Sequence, residues 1–238
     1  MTAAASPALP AEQVDDFGQF GIRAFITTRA AGTFSTAGAE PVCEVMGRWN
    51  ALRAELAAGG PRLATAHQVH GARVIVHGTE WEGWLRADAA DGHAAIGRGT
   101  GMAVSVADCV PVFLAHPSGA TALLHSGWRG TVAGIVAAGV AALAHRGVRP
   151  SEQLVHLGPA ICGRCYEVSP EVYTRLTGRR AEQPTTVDLR AVIADQARAQ
   201  GVRHISTSPW CTRCHNDRFF SHRAGDAGRQ LGVMIAEV

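Results

Sequence analysis

The sequence predicts a single α+β domain in which a mixed β-sheet carries helices on its outer faces. Three observations predict it. Short β-branched or apolar runs alternate with stretches of helical spacing along most of the chain, which asks for sheet and helix in one layered unit. Two of the runs, 112–115 and 121–125, are joined by the turn-formers Pro117, Ser118 and Gly119, so part of the sheet is antiparallel. Strand–helix alternation elsewhere supplies parallel neighbours. Finally, 238 residues with 47% hydrophobic content suffice for one large core, and no repeat or low-complexity linker divides them.

The elements follow in order. Residues 1–16, MTAAASPALPAEQVDD, are small, polar and acidic, and read as a flexible tail ahead of a domain over 17–238. AFITT at 24–28 is a strand, and EVMGRWNALRAELAA at 44–58 has the apolar spacing of a helix closed by Gly59 and Gly60. ARVIVH at 72–77 is a strand by its β-branched content, directly after the irregular HQVHG segment. MAVSV at 102–106 joins the hairpin runs in a strand cluster. After a GWRG turn, TVAGIVAAGVAALAHR at 131–146 reads as one buried helix of small residues. LVHLG at 154–158 is a strand, DLRAVIADQARAQ at 188–200 an amphipathic helix ending at Gly201, and VRHIST at 202–207 a strand after it.

Composition excludes several functions. A net charge of +2 gives no case for a nucleic-acid or membrane partner. The chain contains no lysine, so Schiff-base chemistry and a P-loop are excluded, because both need a lysine amine. Anionic substrate groups must then be held by arginine, backbone N–H groups or a metal. The first residues lack the basic start and apolar centre of a secretory signal, and no apolar run approaches the ~20 residues of a membrane span, so a cytoplasmic location is expected. Six cysteines in such a chain point to reduced thiols and metal ligation rather than disulfides.

The chemistry concentrates between 67 and 131. Cys109 in ADCVPV precedes one strand of the hairpin and His125 in HSGWRGT ends the other, so adjacent antiparallel strands bring both side chains to the same end of the sheet. HQVHG offers a third soft ligand in His67 or His70. One thiolate and two imidazoles fill three tetrahedral positions around a borderline-soft divalent metal and leave the fourth for water or substrate. The same Cys109–His125 geometry also permits a metal-free nucleophile–base pair. The GWRG N–H groups with Arg129, Arg29 after a strand, and Arg223 and Arg229 among turn-forming glycines are candidate anion contacts. Cys162/Cys165 and Cys211/Cys214 have the CxxC arithmetic of a structural zinc site.

TTR (27–29), QVHG (68–71), ADCVPV (107–112), HSGWRGT (125–131), GPAICGRCYEV (158–168) and CTRCHNDRFFSHRAGDAGR (211–229) together resemble the laccase-domain family. Its members are also called YfiH-like proteins or multicopper polyphenol oxidases. The marks run in order along almost the whole chain. The resemblance implies a layered α+β fold and selects His70, Cys109 and His125 as catalytic metal ligands, with Zn2+ as the ion and Cu2+ possible at the same site. It implies a purine nucleoside phosphorylase with adenosine deaminase activity, whose partners are a purine nucleoside and phosphate and which is expected to be a monomer. Phosphate is expected at Arg29, Arg129 or Arg223, and Glu167 and Asp91 match motif positions suited to handling protons. The resemblance also carries two rivals: a Cys–His hydrolase acting as a peptidoglycan-editing factor, and a copper polyphenol oxidase. The second lacks support in the chain, which has no HxH pair to hold a trinuclear copper cluster. Two departures stand out. AAGTFSTAGAEP after Arg29 replaces a glycine pair and an Asn-Leu-Gly segment, and Cys162 stands where the family usually has glycine, so packed free thiols are expected at the CxxC pairs.

Overall fold

Two six-stranded mixed sheets pack face to face, and helices cover both outer faces, in the computed structural model, which describes residues 9–238. The first part of the chain gives β1 (Ala11–Gln13), β2 (Ile22–Thr27), helix α1 (Val42–Leu56), β3 (Arg62–Ala66), β4 (Val74–His77), β5 (Gly83–Ala87) and β6 (Gly92–Ala95). The middle gives β7 (Thr100–Val106), β8 (Val110–Ala115), β9 (Thr121–Ser126), α2 (Trp128–Val132), α3 (Ile135–Ala144) and β10 (Leu154–Leu157). The last part gives β11 (Glu167–Val168), α4 (Pro170–Thr177), β12 (Thr185–Thr186), α5 (Leu189–Ala199), β13 (His204–Thr207) and β14 (Gln230–Ala236). One sheet runs β1-β2-β14-β7-β3-β5, the other β13-β10-β8-β9-β6-β4, and β11 pairs with β12 alone.

The alternation of side chains along each strand explains the layering. On β14, Leu231, Val233 and Ile235 pack outward against Val45, Trp49 and Leu52 of α1, while Met234 and Ala236 face the other sheet. On β8, Phe113 and Ala115 meet that inner layer, and Val112 and Leu114 face α3 and α5. Both faces of these strands are covered, so they read as continuous apolar runs. The small residues of α3 serve a close approach: a Cβ on Gly139 would lie 2.7 Å from Leu124 of β9. Helix α5 starts where Asp188 accepts N–H bonds from Arg190 (3.0 Å) and Ala191 (3.3 Å), a cap worth ~1 kcal/mol.

Two expectations are corrected. Of the supposed tail, 1–8 lie outside the described residues, but Ala11–Gln13 pair antiparallel with Phe25–Thr27, and Asp15–Phe20 form a 3-10 helix. The helix expected over 131–146 is divided, because Gly134 takes a left-handed φ of 86° between α2 and α3; the GWRG segment is itself the start of α2. Residues 230–236, for which the sequence pattern predicts no element, form a central strand between β2 and β7. Among the described residues, no helix is long and apolar enough to cross a membrane.

Candidate metal centre

The β8–β9 hairpin sets Pro111 opposite His125 and Val110 opposite Ser126, so Cys109, just before β8, falls beside His125. His70 arrives from the β3–β4 loop. Its backbone is left-handed (φ 60°), a conformation that costs a non-glycine residue ~1 kcal/mol and needs outside support. Asp91, fully buried, supplies that support by accepting N–H bonds from Val69 (3.1 Å), His70 (2.9 Å) and Gly71 (2.8 Å). Gln68 pins the same loop to β7, donating to the Ser105 carbonyl (2.8 Å) and accepting the Ser105 N–H (2.7 Å).

Asp91 also receives His125: the Nδ1–Oδ1 distance is 2.8 Å. That contact leaves Nε2 of His125 for a ligand, the arrangement by which a carboxylate orients a metal-binding imidazole. The ligating atoms of His70, Cys109 and His125 lie within 4.8 Å of one another. The site depends on Gly127, where a Cβ would stand 2.8 Å from the Cys109 sulfur and 3.3 Å from the His70 ring. Asp108, itself at φ 81°, is anchored by the Thr212 hydroxyl (2.6 Å) and the Arg223 N–H (2.7 Å), which fixes the backbone leading into Cys109.

The charges of the trio are interlocked. Burial pushes the Cys109 thiol up, but the imidazoles of His125 and His70 outweigh it and bring it down to about 6. Burial pushes His125 down, and the Cys109 thiolate with the Asp91 carboxylate drives it up to about 9. Burial also raises Asp91, yet the His125 and backbone donors hold it below the ordinary carboxylate value, so it stays ionised. Cys109 and His125 therefore form a thiolate–imidazolium pair at neutral pH when no ion is bound. A preformed thiolate and two convergent imidazoles fit a zinc-type ion with one open position.

The trio forms part of the wall of a cavity of about 760 Å³. Trp84, stacked on Trp49 with ring centroids 5.0 Å apart, gives it a flat apolar side. Arg86, Arg129, Arg229 and His222 also line it, and among the described residues no carboxylate does. The cavity is thus built for an anion with an aromatic or apolar part.

The sequence candidates divide accordingly. His70 joins the trio, whereas its rival His67 turns towards Asp88 at 3.5 Å. Arg129 lines the cavity with its guanidinium over the Trp128 ring at 4.5 Å. Arg29 does not line it: the Asp226 carboxylate takes its guanidinium at 2.6 Å, and the Phe219 carbonyl accepts a further bond. Arg223 is likewise turned away, donating to the Glu167 carbonyl (2.9 Å), and Glu167 itself is exposed on β11, outside the cavity lining. Asp91 orients His125 and the His70 loop, a role its turn-like sequence context concealed. His222, Trp49 and Trp84 are cavity residues that sequence reasoning missed: His222 lies within the 211–229 motif and Trp49 within the helical pattern of 44–58, but neither pattern says which of its residues face a cavity. The four CxxC thiols, expected as packed free thiols, converge at a second place, with their sulfurs within 4.8 Å of one another.

Comparison with known proteins identifies the family and agrees with the fold. Residues 34–237 match the family described as multi-copper polyphenol oxidoreductase laccase. A purine nucleoside phosphorylase of Streptomyces coelicolor is 38% identical over 184 residues, covering 73% of this chain and 74% of that protein. An adenosine deaminase, RL5, from an unknown prokaryotic organism is 34% identical over 150 residues, covering 57% of this chain and 55% of that protein. The fold is that of the Bacillus licheniformis hypothetical protein YfiH, with a TM-score of 0.85 at 22% identity over 97% of this chain and 98% of that one.

Proposed function

This chain belongs to the multi-copper polyphenol oxidoreductase laccase family, and from that premise we propose that it is a zinc-dependent purine nucleoside phosphorylase with accompanying adenosine deaminase activity. The observation that carries the reading is one thiolate and two imidazoles, oriented by Asp91, beside a cavity lined by arginines and tryptophans and, among the described residues, by no carboxylate. Relatives named for those two activities support the substrate class.

His70, Cys109 and His125 would hold the zinc, and when bound it supplies Lewis acidity towards phosphate or water. The other residues bind and orient. The Arg129 and Arg229 guanidiniums neutralise phosphate charge, and the Trp84–Trp49 face receives the purine ring. Holding both reactants in one cavity turns attack of a phosphate oxygen on the anomeric carbon into an effectively unimolecular step. The glycosidic C–N bond breaks as the new C–O bond forms, and the leaving purine takes a proton, which we assign to the exposed His222 imidazole on the cavity wall. A reducing, cytoplasmic setting fits a chain whose described cysteines are all free.

A second reading rests on the thiolate–imidazolium pair: without zinc, Cys109 and His125 have the charge state of a nucleophile and its acid–base partner, as a peptidoglycan-editing hydrolase would need. One assay separates the two. Under the first reading, free purine appears from adenosine or inosine only when phosphate is added, and Cys109→Ser or His125→Ala abolishes it together with the zinc held by the trio. Base release unchanged on withdrawing phosphate, or none with intact zinc, overturns the phosphorylase reading. Rapid inactivation of metal-free, active protein by thiol alkylation would favour the hydrolase.

A further inference from the structure

Two CxxC segments far apart in sequence meet at one end of the second sheet. Strands β10 and β13 are parallel neighbours, so the segments that follow them, 158–166 and 208–214, leave the sheet side by side. The pairing continues as a bridge between Ala160 and Cys211, and the Thr212 N–H donates to the Ala160 carbonyl at 3.1 Å. This register brings Cys162 and Cys165 against Cys211 and Cys214. All four sulfurs lie within 4.8 Å of one another, with Cys165 and Cys214 at 3.5 Å. The edge of a tetrahedron of sulfurs around zinc, with Zn–S bonds of ~2.3 Å, is about 3.8 Å.

Backbone donors are already aimed for charge. The Cys211 sulfur accepts N–H bonds from Cys162 (3.3 Å) and from Cys214 (3.4 Å), its own CxxC partner. Two N–H groups converging on one sulfur suit a thiolate better than a thiol, whose sulfur is a weak acceptor. The opposite turn is closed by the Cys165 and Tyr166 N–H groups, both donating to the Cys162 carbonyl (2.9 and 3.0 Å). Hydrophobic packing does not account for the cluster: only Cys211 is buried, Cys162 and Cys165 are half-buried and Cys214 is exposed. Arg164 and Arg213 sit inside the two CxxC turns, where their positive charge offsets the net negative charge of a zinc held by four thiolates.

We propose that Cys162, Cys165, Cys211 and Cys214 bind a second, structural zinc ion through four thiolates, in a closed site without an open position. Binding releases the thiol protons and needs no oxidant. The ion clamps two segments that both reach Asp108: the Ile161 N–H donates to the Asp108 carbonyl (3.2 Å) and the Thr212 hydroxyl to its carboxylate (2.6 Å). The inference is independent of what the cavity binds.

Elemental analysis after dialysis against a weak chelator tests it. Wild-type protein should carry two zinc equivalents, Cys109→Ser one, and Cys165→Ser/Cys214→Ser one. If that double variant does not fold, cobalt loaded into Cys109→Ser decides the matter, because four thiolates give intense sulfur-to-cobalt charge transfer and strong visible bands. Zinc-free Cys109→Ser with four alkylatable thiols at these positions, a disulfide between any two of them, or a cobalt adduct without the four-sulfur spectrum overturns the proposal.

Discussion

Replacing Asp91 by asparagine tests the core of the metal centre while leaving its three ligands in place. Oδ1 of the carboxylate accepts from His125 Nδ1 (2.8 Å) and the His70 N–H (2.9 Å), and Oδ2 accepts from the Val69 (3.1 Å) and Gly71 (2.8 Å) N–H groups. An amide offers one accepting oxygen, so either orientation leaves a pair of donors facing an NH2 group. One orientation unpins the buried His125 and the other unpins the part-buried loop that carries His70. A buried donor left unsatisfied costs ~1–3 kcal/mol and a part-buried one less, so destabilisation of the metal-free protein of ~1–3 kcal/mol is expected. Loss of a carboxylate that orients a ligating imidazole typically costs ~10–100-fold in metal affinity, or ~1.4–2.8 kcal/mol. Urea unfolding of metal-free protein measures the first quantity, and competition for zinc against a chromophoric chelator measures the second. A folded Asp91→Asn protein that binds zinc at the trio within twofold of wild type would refute the orienting role.

Gly127→Ala should weaken zinc binding at the trio and destabilise the fold by ~1–3 kcal/mol, since the new methyl stands 2.8 Å from the Cys109 sulfur; unchanged affinity and melting temperature would contradict the packing argument. Arg129→Ala should raise the KM for phosphate more than that for nucleoside, which initial rates at varied phosphate would show. Acid stability is the fourth expectation. Burial first, and then the neighbouring His77 at 2.9 Å, pull His93 from its ordinary 6.5 down to about 3. The unfolded chain therefore binds the extra proton between those values. The stability held by neutral His93 is complete above 6.5 and is lost as pH falls, at ~1.4 kcal/mol per pH unit, or about 2 kcal/mol by pH 5. His93→Gln should remove that part of the slope in urea titrations at pH 7 and pH 5; a slope identical to wild type would contradict it.

The hairpin half of the centre was legible because a short turn fixes register: once 117–119 is a turn, Cys109 and His125 must share an end of the sheet. The choice between His67 and His70 came from the family motif and not from local pattern, since both lie in one irregular segment and the contact that holds His70 is to an aspartate 21 residues further along the chain. Arg29 followed a strand as expected, yet its guanidinium is captured by Asp226, 197 residues away, a pairing no local pattern announces. The CxxC pairs have the arithmetic of one zinc site, but Cys162 stands where the family usually has glycine, so packed free thiols were expected; nothing in LVHLG or VRHIST says that β10 and β13 are neighbours and bring the pairs together. Mixed sheet and outer helices were legible from periodicity, whereas the division into two facing sheets depends on which strands pair, information that is entirely long-range. Gly134 shows the local limit: its tolerance of a left-handed φ is visible in its identity, but whether a helix uses it is decided by what the flanking turns must cover.

The placement of β14 between β2 and β7 has a consequence for how the chain is made. Leu231 donates its N–H to the Thr27 hydroxyl across 204 residues of sequence, and the ladder from Gly232 to Ala236 joins strands synthesised long before it. On the ribosome β2 and β7 must wait with open edges, the state in which sheets are most exposed to pairing with other chains. Closure of the first sheet therefore comes late in the order of synthesis, and a fold so rich in distant pairings is expected to form slowly. A stop codon a few residues upstream of 230 would not shorten a terminus; it would withhold the central plank of a sheet from a chain that has already committed the rest of its residues to it.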